Sequence, residues 1–87
     1  MSKVLSIDPG KCKCGLVLAE ISKKKVHKAI ILKSELLEDY VRNLNTLEDI
    51  SKIIIGNGTT SREIIQKLDF FKKEIITFDE KNTTYRA

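Results

Sequence analysis

The sequence predicts an α/β domain built on a five-stranded mixed sheet, with elements in the order β-β-β-α-β-α-β. Its first three apolar segments are separated by short polar interruptions, which is typical of an antiparallel meander. The later apolar segments alternate with stretches of helical periodicity, so these strands should return parallel through right-handed connections. Three consecutive isoleucines, Ile53 to Ile55, indicate a strand covered on both faces.

The first strand is predicted over residues 3–8, where a mainly apolar run ends at Asp8-Pro9-Gly10. Pro9 and Gly10 prevent its continuation, so Asp8 is held at the sheet edge by a strand and a turn. Taken alone, an Asp before Pro-Gly is also an ordinary turn residue. Segments 14–21 and 26–32 are the second and third strands, and the lysines at 23–25 form a solvated turn.

Helical spacing begins at Ser34, the predicted N-cap of the first helix, and fades near residues 43–45. A fourth strand follows over 52–56. Thr60 and Glu63 match a capping box at the start of the second helix. The fifth strand covers 74–78, and Thr83 or Thr84 would cap a third helix that the sequence scarcely begins.

Composition places the chain among soluble globular proteins, with 41% hydrophobic and 32% charged residues. No apolar run approaches the roughly 20 residues that span a bilayer, and the start lacks a secretory pattern. We therefore expect a cytoplasmic protein with no membrane association. The net charge of +4 permits nucleic-acid binding without requiring it. Cys12 and Cys14 are expected to be reduced thiols, too few for a structural zinc site.

Three spaced motifs carry a family resemblance. The first is Ile7-Asp8-Pro9-Gly10 with Lys13-Cys14-Gly15, the second is the segment Gly56 to Ser61, and the third is Asp79-Glu80 followed by Thr83-Thr84 and Ala87. Together these motifs resemble the RuvC-like and YqgF-like nucleases. These nucleases belong to the ribonuclease H-like superfamily and are linked to maturation of ribosomal RNA precursors or to resolution of Holliday junctions. The resemblance covers the whole sequence and implies one ribonuclease H-like domain over residues 1–87.

The resemblance implies a nuclease dependent on Mg²⁺ or Mn²⁺ that acts on structured RNA or branched DNA. In such a site, carboxylates hold metal ions that prepare the attacking water and stabilise the leaving oxygen. Asp8 and Glu80 would be the metal ligands, with Asp79 as the competing catalytic acid. Because adjacent strand residues point to opposite faces, one of the pair faces the metal, and residue physics alone leaves that choice even.

Further residues are candidates for substrate binding. The loop before the second helix offers free amides and hydroxyls for an anion, although an ordinary strand-to-helix turn with a Thr cap explains it better. Lysines beside the Asp8 turn would meet phosphates as point charges, or lie in solvent as ordinary hairpin lysines. The predicted substrate-binding residues are Lys11, Lys13, Gly58, Thr59, Thr60, Thr83 and Thr84.

One departure from the family leaves other functions open. Family members continue through the third helix and supply a further carboxylate, so this chain is expected to be truncated, with an incomplete site and little cleavage of its own. It would then be a binding or scaffold domain, with a homodimer covering its exposed sheet face. A third class is a phosphotransferase of the actin and hexokinase kind, which shares the Asp-x-Gly hairpin. Its need for two large lobes argues against it at this length.

Overall fold

The alternating apolar residues of the N-terminal segments pair into a sheet, as the sequence predicts. A computed structural model describes residues 3–56 and 61–78. Within these residues the strands are β1 (Lys3–Asp8), β2 (Lys13–Glu20), β3 (Lys25–Lys33), β4 (Ile50–Gly56) and β5 (Glu74–Phe78). The helices are α1 (Leu37–Leu47) and α2 (Ser61–Lys67), and 3-10 turns occupy Ile21–Lys23 and Ser34–Leu36.

The five strands form one mixed sheet in the spatial order β3-β2-β1-β4-β5. The β1–β2 and β2–β3 pairs are antiparallel, whereas β1–β4 and β4–β5 are parallel. This confirms the predicted α/β class, the antiparallel meander and the parallel return of the later strands. A register irregularity between Leu18 and Ala19 leaves His27 outside the β2–β3 ladder. The middle of the sheet is β1, which pairs with the meander on one side and the parallel strands on the other.

Both helices pack on the same face of the sheet. Leu37, Val41 and Leu44 of α1 belong to one apolar cluster with Ile64 and with the inward-facing strand residues. Alternation along each strand supplies the sheet's share of this core. The buried apolar residues of the sheet are Leu5, Ile7, Cys14, Leu16, Leu18, Ile50, Ile53 and Ile55.

The opposite face, called here the open face, is less covered in the described part of the chain. It carries Ser6, Asp8 and Val17, of which Val17 is 37% exposed, and Ile31 of the edge strand, which is 75% exposed. Ile54, between two fully buried isoleucines of β4, is only half-buried. The prediction that β4 is covered on both faces is therefore wrong for the described residues, because both helices lie on one side.

Ser34 does not cap the first helix, contrary to the sequence prediction. The residue starts a 3-10 turn, and no side-chain cap bond is made at the start of that turn or of α1. Its hydroxyl instead reaches a carbonyl 24 residues earlier in the chain. The predicted third helix with Thr83 and Thr84, and the capping threonine Thr60, lie outside the described residues.

Candidate functional site

Asp8 lies at the C-terminal end of the central strand, where its side chain is exposed on the open face. Leu5 and Ile7 of the same strand point into the core and are at most 1% exposed. Strand alternation therefore turns Ser6 and Asp8 outward together. The buried side chains hold the strand in place, so the exposed carboxylate is presented from a rigid element rather than from a loop.

A groove runs beside Asp8 on the open face, with a volume of about 560 Å³. Gly15 lies directly opposite Asp8 in the β1–β2 register. A Cβ at Gly15 would lie 3.7 Å from the Cβ of Asp8, so the missing side chain leaves a depression at this point. Groove residues include Ser6, Asp8, Gly15, Val17, Ala29 and Ile31. One carboxylate and one hydroxyl on a mainly apolar floor suit a ligand with a polar end and an apolar body.

The loop that follows Asp8 is fixed by the end of β3. The Ser34 hydroxyl donates a 2.8 Å hydrogen bond to the Gly10 carbonyl, and the Ser34 amide donates to the Cys12 carbonyl at 2.9 Å. The buried Cys14 thiol lies 3.2 Å from the same hydroxyl. Gly10 is required because a Cβ there would collide with the Lys13 carbonyl. These bonds, which sequence reasoning missed, hold the turn that carries two of the predicted substrate-binding lysines.

The parallel strands bring three chain segments to one edge of the sheet. Ile7 pairs with Ile55, and Gly56 pairs with Phe78, so β1, β4 and β5 all end at the edge where Asp8 lies. With neighbouring strands about 4.8 Å apart, the ends of β1 and β5 are roughly 10 Å from each other. This is the strand arrangement on which the predicted meeting of Asp8 with Asp79 and Glu80 depends. The two acids themselves follow β5, outside the described residues.

The predicted substrate-binding residues fall into two groups, those that the structure describes and those outside the described residues. Lys11 and Lys13 are exposed, in the loop and at the first position of β2. Both are therefore free to meet a phosphate at this edge, and both are also where an ordinary hairpin lysine would lie. The remaining candidates lie outside the described residues; these are Gly58, Thr59, Thr60, Thr83 and Thr84.

Within the residues that the structure describes, the donor set around Asp8 fits one kind of magnesium binding. In residues 3–56 and 61–78, no three His, Cys, Asp or Glu side chains cluster closely enough to hold an ion. A site with two resident metal ions needs more carboxylates than Asp8 alone. Mg²⁺ is also commonly bound through one or two carboxylates together with the phosphates of a substrate. Asp8 and its surroundings fit a magnesium ion that arrives with phosphate.

A second polar cluster, which the sequence analysis missed, lies at the far end of β2. Glu20 is 4% exposed and its Oε1 lies 3.1 Å from Nε2 of His27, while Lys23 Nζ is 3.9 Å from Oε2. The hydrogen bond from His27 is the main cause that lowers the pKa of Glu20; burial opposes it, and the charges of Lys23, His27 and Lys3 add to the lowering. The signal was present in the sequence, because Glu20 continues the buried alternation of Cys14, Leu16 and Leu18.

Comparison with known proteins gives fold similarity alone. Neither family models nor curated proteins match the sequence. A solved structure of an uncharacterized Pseudomonas aeruginosa protein with similarity to peptidase YeaZ matches with a TM-score of 0.54 and 17% identity, over 91% of this chain and 44% of that one. The structure of the type II variant of the Aquifex aeolicus Ppx/GppA phosphatase matches with a TM-score of 0.53 and 14% identity. This match covers 92% of this chain and 37% of the phosphatase.

Both neighbours have the actin/hexokinase-like fold, and this chain spans less than half the length of each. At these identities the similarity shows the fold alone. It gives no support specific to a nuclease.

The helices of the described residues are too short or too polar to span a membrane.

Proposed function

We propose that this chain is a phosphate-binding lobe of the actin/hexokinase-like kind, which takes a magnesium–nucleoside polyphosphate at the edge marked by Asp8. The observation that carries the proposal is the single exposed carboxylate at the end of β1, next to a fixed hairpin loop and an open groove. The similar fold of a Ppx/GppA phosphatase, matched over 92% of this chain, supports a ligand that carries phosphate. Because the neighbours are more than twice as long, any reaction would need a further lobe.

The residues around Asp8 would contact different parts of the ligand. The Asp8 carboxylate would hold the magnesium ion that arrives with the phosphates of the complex. The lysines of the hairpin loop, Lys11 and Lys13, bind phosphate oxygens as point charges. Val17 and Ile31 line the apolar part of the groove, where the uncharged portion of the nucleotide lies. When bound, the magnesium ion supplies neutralisation of phosphate charge.

The test is calorimetric titration with Mg·ADP, with Mg·pyrophosphate and with Mg²⁺ alone. We expect Mg²⁺ alone to bind weakly, since one carboxylate is an incomplete shell, and the Mg·ADP complex to bind more tightly. Asp8→Asn should weaken the complex by about tenfold or more, because the carboxylate charge that would hold the metal ion is lost. Asp69→Asn is the matched control, as Asp69 is an exposed acid after α2. Equal affinity in the Asp8 and control variants would refute the proposal.

A second candidate is the divalent-metal nuclease acting on structured RNA or branched DNA. It is favoured by the common edge at which β1 and β5 end, since Glu80 or Asp79 would then join Asp8 as a metal ligand. Incubation of a labelled structured RNA or a four-way DNA junction with Mg²⁺ or Mn²⁺ separates the two proposals. Cleavage lost in Asp8→Asn and in either Glu80→Gln or Asp79→Asn supports the nuclease. Nucleotide binding without cleavage supports the lobe.

A further inference from the structure

Charge is unevenly distributed along this sequence. Residues 1–34, which contain β1 to β3, carry eight lysines against two acids, whereas residues 35–87 carry eight basic residues against ten acids. The excess of positive charge therefore belongs to the meander. Within the described residues, Lys3 and Lys23 of this half are ion-paired, with Glu48 and Glu20 respectively.

The edge strand β3 combines this charge with exposed apolar side chains. It is nine residues long, and in the described part of the chain it pairs with β2 on one side and with no strand on the other. Val26 is 60% exposed and Ile31 is 75% exposed. Such an edge presents backbone N–H and C=O groups to any extended chain that can approach it.

Three lysines of β3 determine which extended chain can approach. Lys25, Lys28 and Lys33 are all exposed, and none of them has an acidic partner among the described residues. A second copy of β3 placed antiparallel alongside would add three more lysines to the same edge, and like charges across a strand pair are destabilising. A strand bearing carboxylates would instead be attracted to each of these three lysines.

We propose that the β3 edge binds an acidic, extended peptide segment of a partner protein as a sixth strand. Backbone pairing with β3 supplies affinity, apolar side chains of the partner pack beside Val26, and its carboxylates meet the lysines. Residues 3–34 contain no arginine, phenylalanine, tyrosine or tryptophan, so His27 is the one side chain of this segment suited to stacking on a nucleic-acid base. The added strand lies beyond β3, on the side away from β2, and leaves Asp8 accessible.

A fluorescein-labelled nine-residue peptide of alternating glutamate and valine is the probe, followed by fluorescence anisotropy. Lys28→Glu should weaken binding by about tenfold or more, because attraction is replaced by repulsion at the middle of the strand. Lys67→Glu is the control with the same change of net charge, since Lys67 is exposed on α2, and it should change the affinity less than about twofold. Circular dichroism verifies that both variants fold.

Two further measurements separate strand addition from attraction between charges. A peptide with alternate backbone amides methylated keeps its carboxylates but cannot pair, so its binding should be lost. Hydrogen exchange should show slower exchange for β3 amides in the complex. Equal binding of the methylated peptide, an equal effect of Lys67→Glu, or no binding of the probe would overturn the proposal. Tighter, Lys28-dependent binding of a nine-nucleotide single strand would also overturn it. Asp8→Asn should leave peptide binding unchanged, which keeps this test separate from that of the phosphate site.

Discussion

The two faces of the sheet are made by alternate residues of the same strands, yet they differ sharply in burial. In β1, Leu5 and Ile7 point to the helices and are at most 1% exposed, while Ser6 and Asp8 point the other way and are exposed. In β2, Leu16 is buried and its neighbour Gly15 opens the groove. The helix-covered face stabilises the domain, and the open face is free to carry polar groups and a ligand.

The difference teaches how a small domain can present a carboxylate rigidly. A side chain on the open face contributes little to the core, so its identity can change without loss of folding, while its position is fixed by the buried neighbours one residue away. Substitutions on the covered face should therefore lower the free energy of unfolding most, and those on the open face least.

Truncation of a core isoleucine should have the largest effect. Ile53→Ala removes a fully buried side chain from the covered face of β4, and we expect the free energy of unfolding to fall by about 3 kcal/mol. Ile31→Ala, on the open face, should change it by less than about 0.5 kcal/mol. Urea denaturation followed by circular dichroism measures both. Similar losses in the two variants would show that the faces do not differ in this way.

Loss of the Ser34 hydroxyl should have the next largest effect. Ser34→Ala removes the 2.8 Å hydrogen bond to the Gly10 carbonyl and the contact with the Cys14 thiol, at a cost of about 1 kcal/mol. Because the bond fixes the loop after Asp8, Mg·ADP binding should weaken as well. Ser22→Ala, at an exposed position of a 3-10 turn, is the control. Unchanged stability in Ser34→Ala would show that this hydroxyl does not stabilise the loop.

Glu20 is the exception on the covered face, as a buried charged group in an otherwise apolar row. Its pKa is lowered, first by the hydrogen bond from His27 and then by the nearby charges of Lys23, His27 and Lys3, with burial acting in the opposite direction. A lowered pKa in the folded state stabilises the fold above the ordinary glutamate value. That contribution is lost as pH falls through the lowered pKa.

The pH dependence of unfolding tests this exception. The free energy of unfolding of the wild type should decline as the pH falls below about 4.5, the ordinary pKa of glutamate. Glu20→Gln should lack this part of the decline, and His27→Gln should reduce it, because the largest cause of the lowered pKa is removed. Urea denaturation at a series of pH values gives the profiles. Coinciding profiles for wild type and Glu20→Gln would contradict the assignment.

Sequence reasoning found the elements because their signals are local. The apolar run before Asp8-Pro9-Gly10 defined β1, and the isoleucines defined β4. It failed where the answer depends on how distant segments pair. Ser34 looked like a helix cap because it precedes a helical pattern, yet its partner is the carbonyl of Gly10. Ile54 was expected to be buried because periodicity cannot show that both helices pack on one side.

The candidate site was predicted to a similar extent. The exposed position of Asp8 at a strand end follows from the turn residues after it, and the structure places it there. The groove was not foreseen, because it depends on the register that sets Gly15 opposite Asp8. The Glu20–His27 hydrogen bond likewise crosses a hairpin whose register shifts between Leu18 and Ala19. A register shift of this kind has no clear local signal.

The smallest effect on stability is expected at Gly15, where the open face should respond in binding rather than in folding. A Cβ at this position meets the Cβ of Asp8 at 3.7 Å, an ordinary contact, and a β-branched residue suits a strand better than glycine. Gly15→Val should therefore change the free energy of unfolding by less than about 0.5 kcal/mol. Its methyl groups occupy the floor of the groove, so Mg·ADP binding should weaken by about fivefold or more. Ala19→Val is the control, since Ala19 lies on the same face of β2 but does not line the groove. Undiminished binding in Gly15→Val would place the ligand elsewhere, whereas a large loss of stability would show that this part of the open face is packed after all.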